Sequence, residues 1–259
     1  MYNFYNINFI DGNYVQAINM LKNKAFMVAP SGPGLSKIDK NHQYRKALQA
    51  ADFAIPDSSL MIILYLLFYQ KKIQKMSGPK FLRSFLKEQV LRNDYVLFSI
   101  DPSDDEKASN NELLVKLGIK IKITNHYVAP NFNSDLVEDE NLLNILENID
   151  KKPSFILINI AGGVQECLGH YIKKKLSYDV GIICTGAAIA FETGKQARVP
   201  IWADSLYLGW LARIVQNPKL YVKRYIQALR LFFVFYLCRV KKNIESWRVI
   251  LDISGSFIL

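Results

Sequence analysis

The stretch Phe155-Ile-Leu-Ile-Asn-Ile-Ala-Gly-Gly-Val-Gln-Glu166 carries the reading of the fold. It opens on an apolar run, Phe155–Ile160, too short for a stable helix and without the polar alternation of a strand that faces water on one side. Such a run predicts a strand buried on both faces, the habit of parallel sheets. Two glycines follow, and a helical pattern over Gln165–Leu176 comes directly after them.

Outward from this unit the same alternation recurs between about Ala25 and Thr185. Strands are predicted at Ala25–Ala29, Asp52–Ile55, Tyr95–Ile100, Ile119–Thr124, Phe155–Ile160 and Gly181–Cys184. Helices are predicted between them at Asp39–Ala50, Ser59–Gln70, Pro79–Leu91, Asp104–Leu117, Glu138–Asn148 and Gln165–Leu176. The expected class is α/β: a Rossmann-like open, mainly parallel sheet with helices on both faces.

The 259 residues, 50% hydrophobic and 22% charged, are enough for one large domain or a domain plus an appendage. Three cysteines, Cys167, Cys184 and Cys238, have no metal-like spacing and suggest no disulfide scaffold, so a reducing cytoplasm is expected. His42, His126 and His170 are scattered and predict surface or loop positions rather than a metal site. The first nine residues lack the basic start and apolar core of a signal peptide. No uncharged apolar stretch reaches the roughly 18–20 residues of a spanning helix.

The net charge of +10 is concentrated late in the chain. From Ser205 to Ile244 there is no acid, but there are Arg213, Lys219, Lys223, Arg224, Arg230, Arg239, Lys241 and Lys242. Within that span lies Leu231-Phe-Phe-Val-Phe-Tyr-Leu-Cys238. A core helix with a solvated basic edge is one reading. An interfacial segment, its apolar face in the headgroup region and its cations on anionic lipid, is the other, and the missing acids favour it. The expected division is an α/β core over 1–200 and a basic helical, membrane-associating appendage over 201–259. No zinc finger, RNP-type signature or helix-turn-helix pattern accompanies the charge, so nucleic acid is not an expected partner.

Three loops fall beyond carboxyl ends of predicted strands, where open α/β sheets collect ligands. Ala29-Pro-Ser-Gly-Pro-Gly34 offers backbone N–H groups but matches neither a P-loop nor GxGxxG; a simple turn explains it equally well. In Ile55-Pro-Asp-Ser-Ser59, Asp57 either shares in capping the next helix or acts as a general base on a sugar hydroxyl. In the 160–166 loop the glycines permit close backbone approach, and the following helix N-terminus favours an anion such as diphosphate. Gln165 and Glu166 there are either ligand-binding or ordinary first-turn residues.

Thr185-Gly-Ala-Ala-Ile-Ala-Phe-Glu-Thr-Gly-Lys-Gln-Ala-Arg-Val-Pro-Ile-Trp202 resembles a signature of the WecG/TagA/CpsF glycosyltransferases. Trp210 with Arg213, then Asn217-Pro218 and Lys223-Arg224-Tyr225, are similar to that family's tail. Upstream, Gly163-Val-Gln-Glu166, Ala51-Asp-Phe-Ala-Ile-Pro-Asp57 and Tyr127-Val-Ala-Pro130 resemble further family segments, in order along residues 25 to 225.

The resemblance implies an inverting bacterial transferase that uses neither metal nor cofactor. Its implied donor is a UDP-hexose of N-acetylmannosamine type, and its acceptor an undecaprenyl-diphosphate-linked sugar for envelope polysaccharide. It implies Asp57 as the base, with Arg213 and Arg224 of the appendage clamping the diphosphate. Ser31, Lys75, Gly163, Gln165, Glu166, Gly186 and Arg198 fall on its substrate-binding segments. The implied location is the inner face of the plasma membrane, peripheral to it, with a homo-oligomer left open. Ala29-Pro-Ser31, Ser58, Lys75, Ser99-Ile-Asp-Pro102 and Gly209 depart from the family pattern and leave the sugar open. A catalytically weak scaffold that binds nucleotide-sugar or membrane is the competing reading.

Overall fold

The computed structural model describes residues 1–90, 95–119, 121–132, 137–195, 203 and 208–240. Its centre is a sheet built from β1 (Tyr2–Phe4), β2 (Ile7–Phe9), β3 (Phe26–Val28), β4 (Phe53–Ala54), β5 (Leu97–Asp101), β6 (His126–Val128), β7 (Phe155–Ile158) and β8 (Gly181–Cys184). The spatial order is β1-β2-β4-β3-β8-β7-β5-β6, parallel throughout except for the β1–β2 hairpin. The expected α/β class is therefore observed.

Alternate residues of each inner strand enter two separate cores. Phe26, Val28, Ile156, Ile158 and Ile182 face one side, with residues of α3 (His42–Ala50), α4 (Ser59–Tyr69), α7 (Glu140–Asn148) and α8 (Val164–Lys175). Met27, Phe53, Phe155, Leu157 and Ile183 face the other, with α1 (Tyr14–Lys22), α5 (Gly78–Val90), α6 (Asp104–Lys116) and α9 (Ala188–Thr193). Two covered faces explain why these strands read as continuous apolar runs. At Gly169 of α8 a Cβ would lie 2.7 Å from the Phe26 ring, so the helix approaches the sheet as closely as it does only without a side chain there.

The structure differs from the sequence expectations at β6 and at the N-terminus, where α1 is not predicted either. The strand expected at Ile119–Thr124 lies later, at His126–Val128, after a single 3-10 turn over Ile123–Asn125. The alternating isoleucines mimic a half-buried strand, yet Ile123 is exposed; pairing begins only where His126 lies opposite Ser99. The N-terminus adds the β1–β2 hairpin, whose Tyr5 and Asn6 both have positive φ (57° and 60°), as a tight two-residue turn of the type that suits strand twist requires.

After β8 the described chain continues through α9, then α10 (Gly209–Gln216), α11 (Pro218–Ala228) and a helix over residues 231–240, α12. Leu231, Val234 and Phe235 are buried and belong to the same core cluster as the sheet. Phe235 stacks on Phe4 of the hairpin at 4.0 Å and meets Tyr65, Phe68 and Tyr69 of α4. Arg230 donates two bonds to the Asp39 carboxylate (2.8 and 2.6 Å) and one to the Ser36 carbonyl (2.7 Å). The Arg230 guanidinium holds the Asp39 carboxyl below its usual range. This part of the basic tail is thus docked on the core.

Phe235→Ala is expected to cost about 3–5 kcal/mol, the range for truncating a buried phenylalanine. Hydrogen exchange should quicken over residues 231–240 and leave β7 and β8 protected. A uniform loss of protection across the sheet would contradict a separable docking contact.

Candidate active site

Because the inner strands are parallel, the loops after β3, β4, β5, β6, β7 and β8 emerge on one edge. From β5 the chain proceeds to β6 on one side, while from β7 it proceeds to β8 on the other. Such a reversal is the place where open α/β sheets usually bind a ligand, in a crevice between the carboxyl ends.

Asp57 follows β4. The expectation that Asp57, Ser58 or Ser59 caps the next helix resolves cleanly: Ser58 Oγ accepts from Met61 N (3.2 Å) and caps α4. The Asp57 carboxylate instead accepts the N–H of Gly78 at the start of α5 through Oδ1 (2.9 Å). One backbone bond therefore fixes its rotamer at the mouth of a cavity of about 830 Å³.

This cavity lies between the carboxyl edge and the docked tail. Its lining includes the polar groups of Ser31, Asp57, Lys75, Lys80, Arg83, Glu192 and Arg213. It also includes apolar side chains, Leu60 and Ile63 of α4 and Ile214, Val222, Ile226 and Leu229 of α10, α11 and their continuation. Arg83 donates twice to Glu192 Oε1 (3.1 and 2.9 Å), which ties α5 to α9. The Arg213 guanidinium sits 4.9 Å from the Phe191 ring centroid, and its Nε is buried without a hydrogen-bond partner among the described residues. Ser31 Oγ caps the short helix α2 (Gly32–Leu35), the turn expected at this loop, by accepting from Gly34 N (3.2 Å).

Gly163, Gln165, Glu166 and Gly186 form a second group beside the cavity. Gln165 joins two loops: its Oε1 accepts from Gly186 N (2.7 Å), and its Nε2 donates to Glu166 Oε1 (3.0 Å). Glu166 Oε2 accepts from Gly163 N (2.6 Å). The N–H groups of Val164 and Gln165 both turn back to the Ala161 carbonyl. The helix end expected to meet an anion is thus closed by its own acid and loop. Gly162 and Gly163 still border open space, since a Cβ at either position would meet nothing within 4 Å.

Arg224 does not join this assembly. Val222, Tyr225, Ile226 and Leu229 place one face of α11 on the cavity, and Arg224 is exposed on the opposite face. Arg198 lies outside the described residues. Lys80 and Arg83, three residues apart on one face of α5, are cavity residues that the sequence reading did not single out, although their spacing was visible. Among the described residues no group of three His, Cys, Asp or Glu side chains is placed to hold a metal ion.

Full burial pushes the Glu166 carboxyl up from its ordinary 4.5 to about 7, against the opposing effect of the Gly163 and Gln165 bonds. The folded protein therefore binds this proton more tightly than the unfolded chain does. Glu166's contribution to stability is complete below about pH 4.5 and is lost as pH rises toward about 7. The loss amounts to about 3 kcal/mol on the scale of 1.36 kcal/mol per unit. Denaturant titrations across that window should show a slope that Glu166→Gln flattens; an unaltered slope would assign the pH dependence elsewhere.

The family model described as "Glycosyl transferase WecG/TagA/CpsF family" matches residues 2–245, nearly the whole chain. No curated protein matches the sequence. The chain belongs to the WecG/TagA/CpsF family of glycosyl transferases.

Proposed function

We propose that this member of the WecG/TagA/CpsF glycosyl transferases moves a hexose from a UDP-sugar, with inversion and without a metal, onto an undecaprenyl-diphosphate-linked sugar. The reaction serves bacterial envelope polysaccharide synthesis at the inner face of the plasma membrane. The observation that carries this reading is one cavity whose lining combines Asp57 and four cations with a set of aliphatic side chains. An acceptor that joins a hydrocarbon chain to a charged diphosphate and a sugar suits both kinds of lining.

In the proposed step, Asp57 accepts the proton of an acceptor hydroxyl while that oxygen attacks the donor's anomeric carbon. The bond from that carbon to the UDP oxygen breaks on the opposite face, which inverts the centre. Lys75, Lys80, Arg83 and Arg213 offset the charge that builds on the departing diphosphate. The nucleoside occupies the crevice between β5 and β7, with the diphosphate directed past Gly162 and Gly163 toward those cations. Gln165 and Glu166 hold the loops that border the donor, and Ser31 and Gly186 line its sugar.

Membrane association is supported by exposed apolar side chains beside the cavity. Ile63, Leu66 and Leu67 of α4 are exposed, as are Ile226, Leu229, Phe233 and Leu237. No helix among the described residues is long and apolar enough to cross a bilayer. In this reading the described part of the proposed appendage, residues 208–240, rests on the membrane interface, with exposed Lys223, Arg224 and Arg239 on anionic headgroups.

Asp57→Asn should lower kcat by about 10²–10⁴-fold, the usual worth of a general base, while UDP binds as before. Chelator should not change the wild-type rate. Retention of full activity in the variant would remove Asp57 from the base's role. Separately, the pair Phe233→Ser and Leu237→Ser should reduce binding to anionic vesicles by about 10²–10⁴-fold, from roughly 1.5–3 kcal/mol per buried side chain. Unchanged vesicle binding would move the membrane contact off this helix.

A further inference from the structure

At the carboxyl ends of β5 and β7 lies a buried polar cluster that the proposed chemistry does not use. Asp101, the last residue of β5, has a fully buried carboxylate. Its Oδ1 accepts from Ser99 Oγ (2.9 Å), Asn110 Nδ2 (2.8 Å) and Asn159 Nδ2 (2.9 Å), and its Oδ2 faces His126 Nδ1 at 3.0 Å. Asn159 Nδ2 also reaches Ser99 Oγ (3.0 Å). His126 is buried, contrary to the surface or loop position expected of it. The pattern of the sequence treated it alone, whereas parallel pairing sets β6 two residues short of Asp101.

The cluster joins the ends of three neighbouring strands to α6. Asp101 ends β5, Asn110 lies on α6, His126 opens β6, and Asn159 directly follows β7. Backbone bonds repeat the same links, from Ala129 N to the Asp101 carbonyl and from Asn159 N to the Ile100 carbonyl (both 2.9 Å). Three residues beyond Asn159 the chain reaches Gly162 and Gly163. A buried carboxylate with its partners is commonly no more stable than apolar side chains of equal volume, so its gain here is one defined arrangement of strand ends. His126 Nε2 and Asn159 Oδ1, both buried, have no partner among the described residues, a further sign that packing stability does not account for the cluster.

We infer that Asp101 is a positioning residue for the nucleotide: through Asn159 and His126 it sets the carboxyl ends of β5, β6 and β7 against which the donor's UDP binds. This rests on the proposed placement of the nucleoside in the crevice between β5 and β7. Asp101 does not itself touch substrate.

The test measures UDP binding by calorimetry together with thermal stability, in the full chain. Wild type, Asp101→Asn, Ser99→Ala and the double variant Asp101→Asn with Asn159→Asp are compared. Asp101→Asn should weaken UDP binding at least 10-fold while a folded, cooperative transition remains. The double variant, which restores a carboxylate bonded to a carboxamide with the two exchanged, should recover most of the affinity. Ser99→Ala keeps the carboxylate and removes one donor, and should weaken binding by about 3-fold; it carries the test if Asp101→Asn does not fold. A purely structural role would lower melting temperature while the folded fraction binds UDP as wild type does, and that result overturns the inference. Failure of the exchange to recover affinity overturns it as well. Absence of UDP binding in wild type would instead remove the nucleotide reading on which the inference stands, and the inference with it.

Discussion

Parallel strands covered on both faces leave a chain only the sheet's edges on which to place exposed polar groups. Here the strand residues divide strictly, with Phe26 and Val28 to one core and Met27 between them to the other. The same division holds for Ile156 and Ile158 against Phe155 and Leu157. Neither face has room for chemistry. Asp57, Asp101, Asn159 and Gly186 consequently all lie at or just past the carboxyl ends of their strands, and the ligand-binding candidates become neighbours although they are far apart in sequence.

The tail gives this edge its second wall. Phe235 enters a nest of Phe4, Tyr65, Phe68 and Tyr69, and Arg230 clasps Asp39 just after α2. Between these two attachments and α9, Trp210, Arg213 and Tyr225 are held over the loops that carry Ser31 and Asp57. The hairpin at the N-terminus is therefore more than an edge of the sheet, since one of its rings receives the helix that fastens the tail to the core. Exposed Phe233 and Leu237 share that helix with buried Val234 and Phe235, so one turn of chain is both fastened to the core and open on its other side.

Much of this was legible in the sequence. The apolar runs at 155–160 and 181–184 and the helices between strands emerged within a few residues, because burial on both faces leaves an unmistakable composition. Asp57 was legible for a similar reason, as an acid at the boundary of an apolar strand. By that same signal Asp101 could have been found, but its partners Asn110, His126 and Asn159 come from three other elements, and no local pattern announces them. The hairpin escaped notice because Tyr5 and Asn6 adopt left-handed φ without a glycine. The closed end of α8 was equally hidden: glycines before a helix suggest an anion site, and only the conformation of Glu166 reveals that a protein carboxyl already occupies it.

Three carboxyls at one sheet edge have diverged through their surroundings. Glu166 is enclosed and bonded to Gly163 and Gln165, so its proton equilibrium is coupled to loop geometry rather than to a substrate. Asp101 is enclosed too, but four side chains converge on it and tie together the ends of three strands. Asp57 alone is partly exposed and borders the cavity, with Gly78 fixing its direction. A general base must reach the hydroxyl it serves and then release the proton to water, which neither enclosed acid can do without opening the fold. Burial, more than residue type, therefore separates the carboxyl suited to proton transfer from the two suited to holding the loops around it.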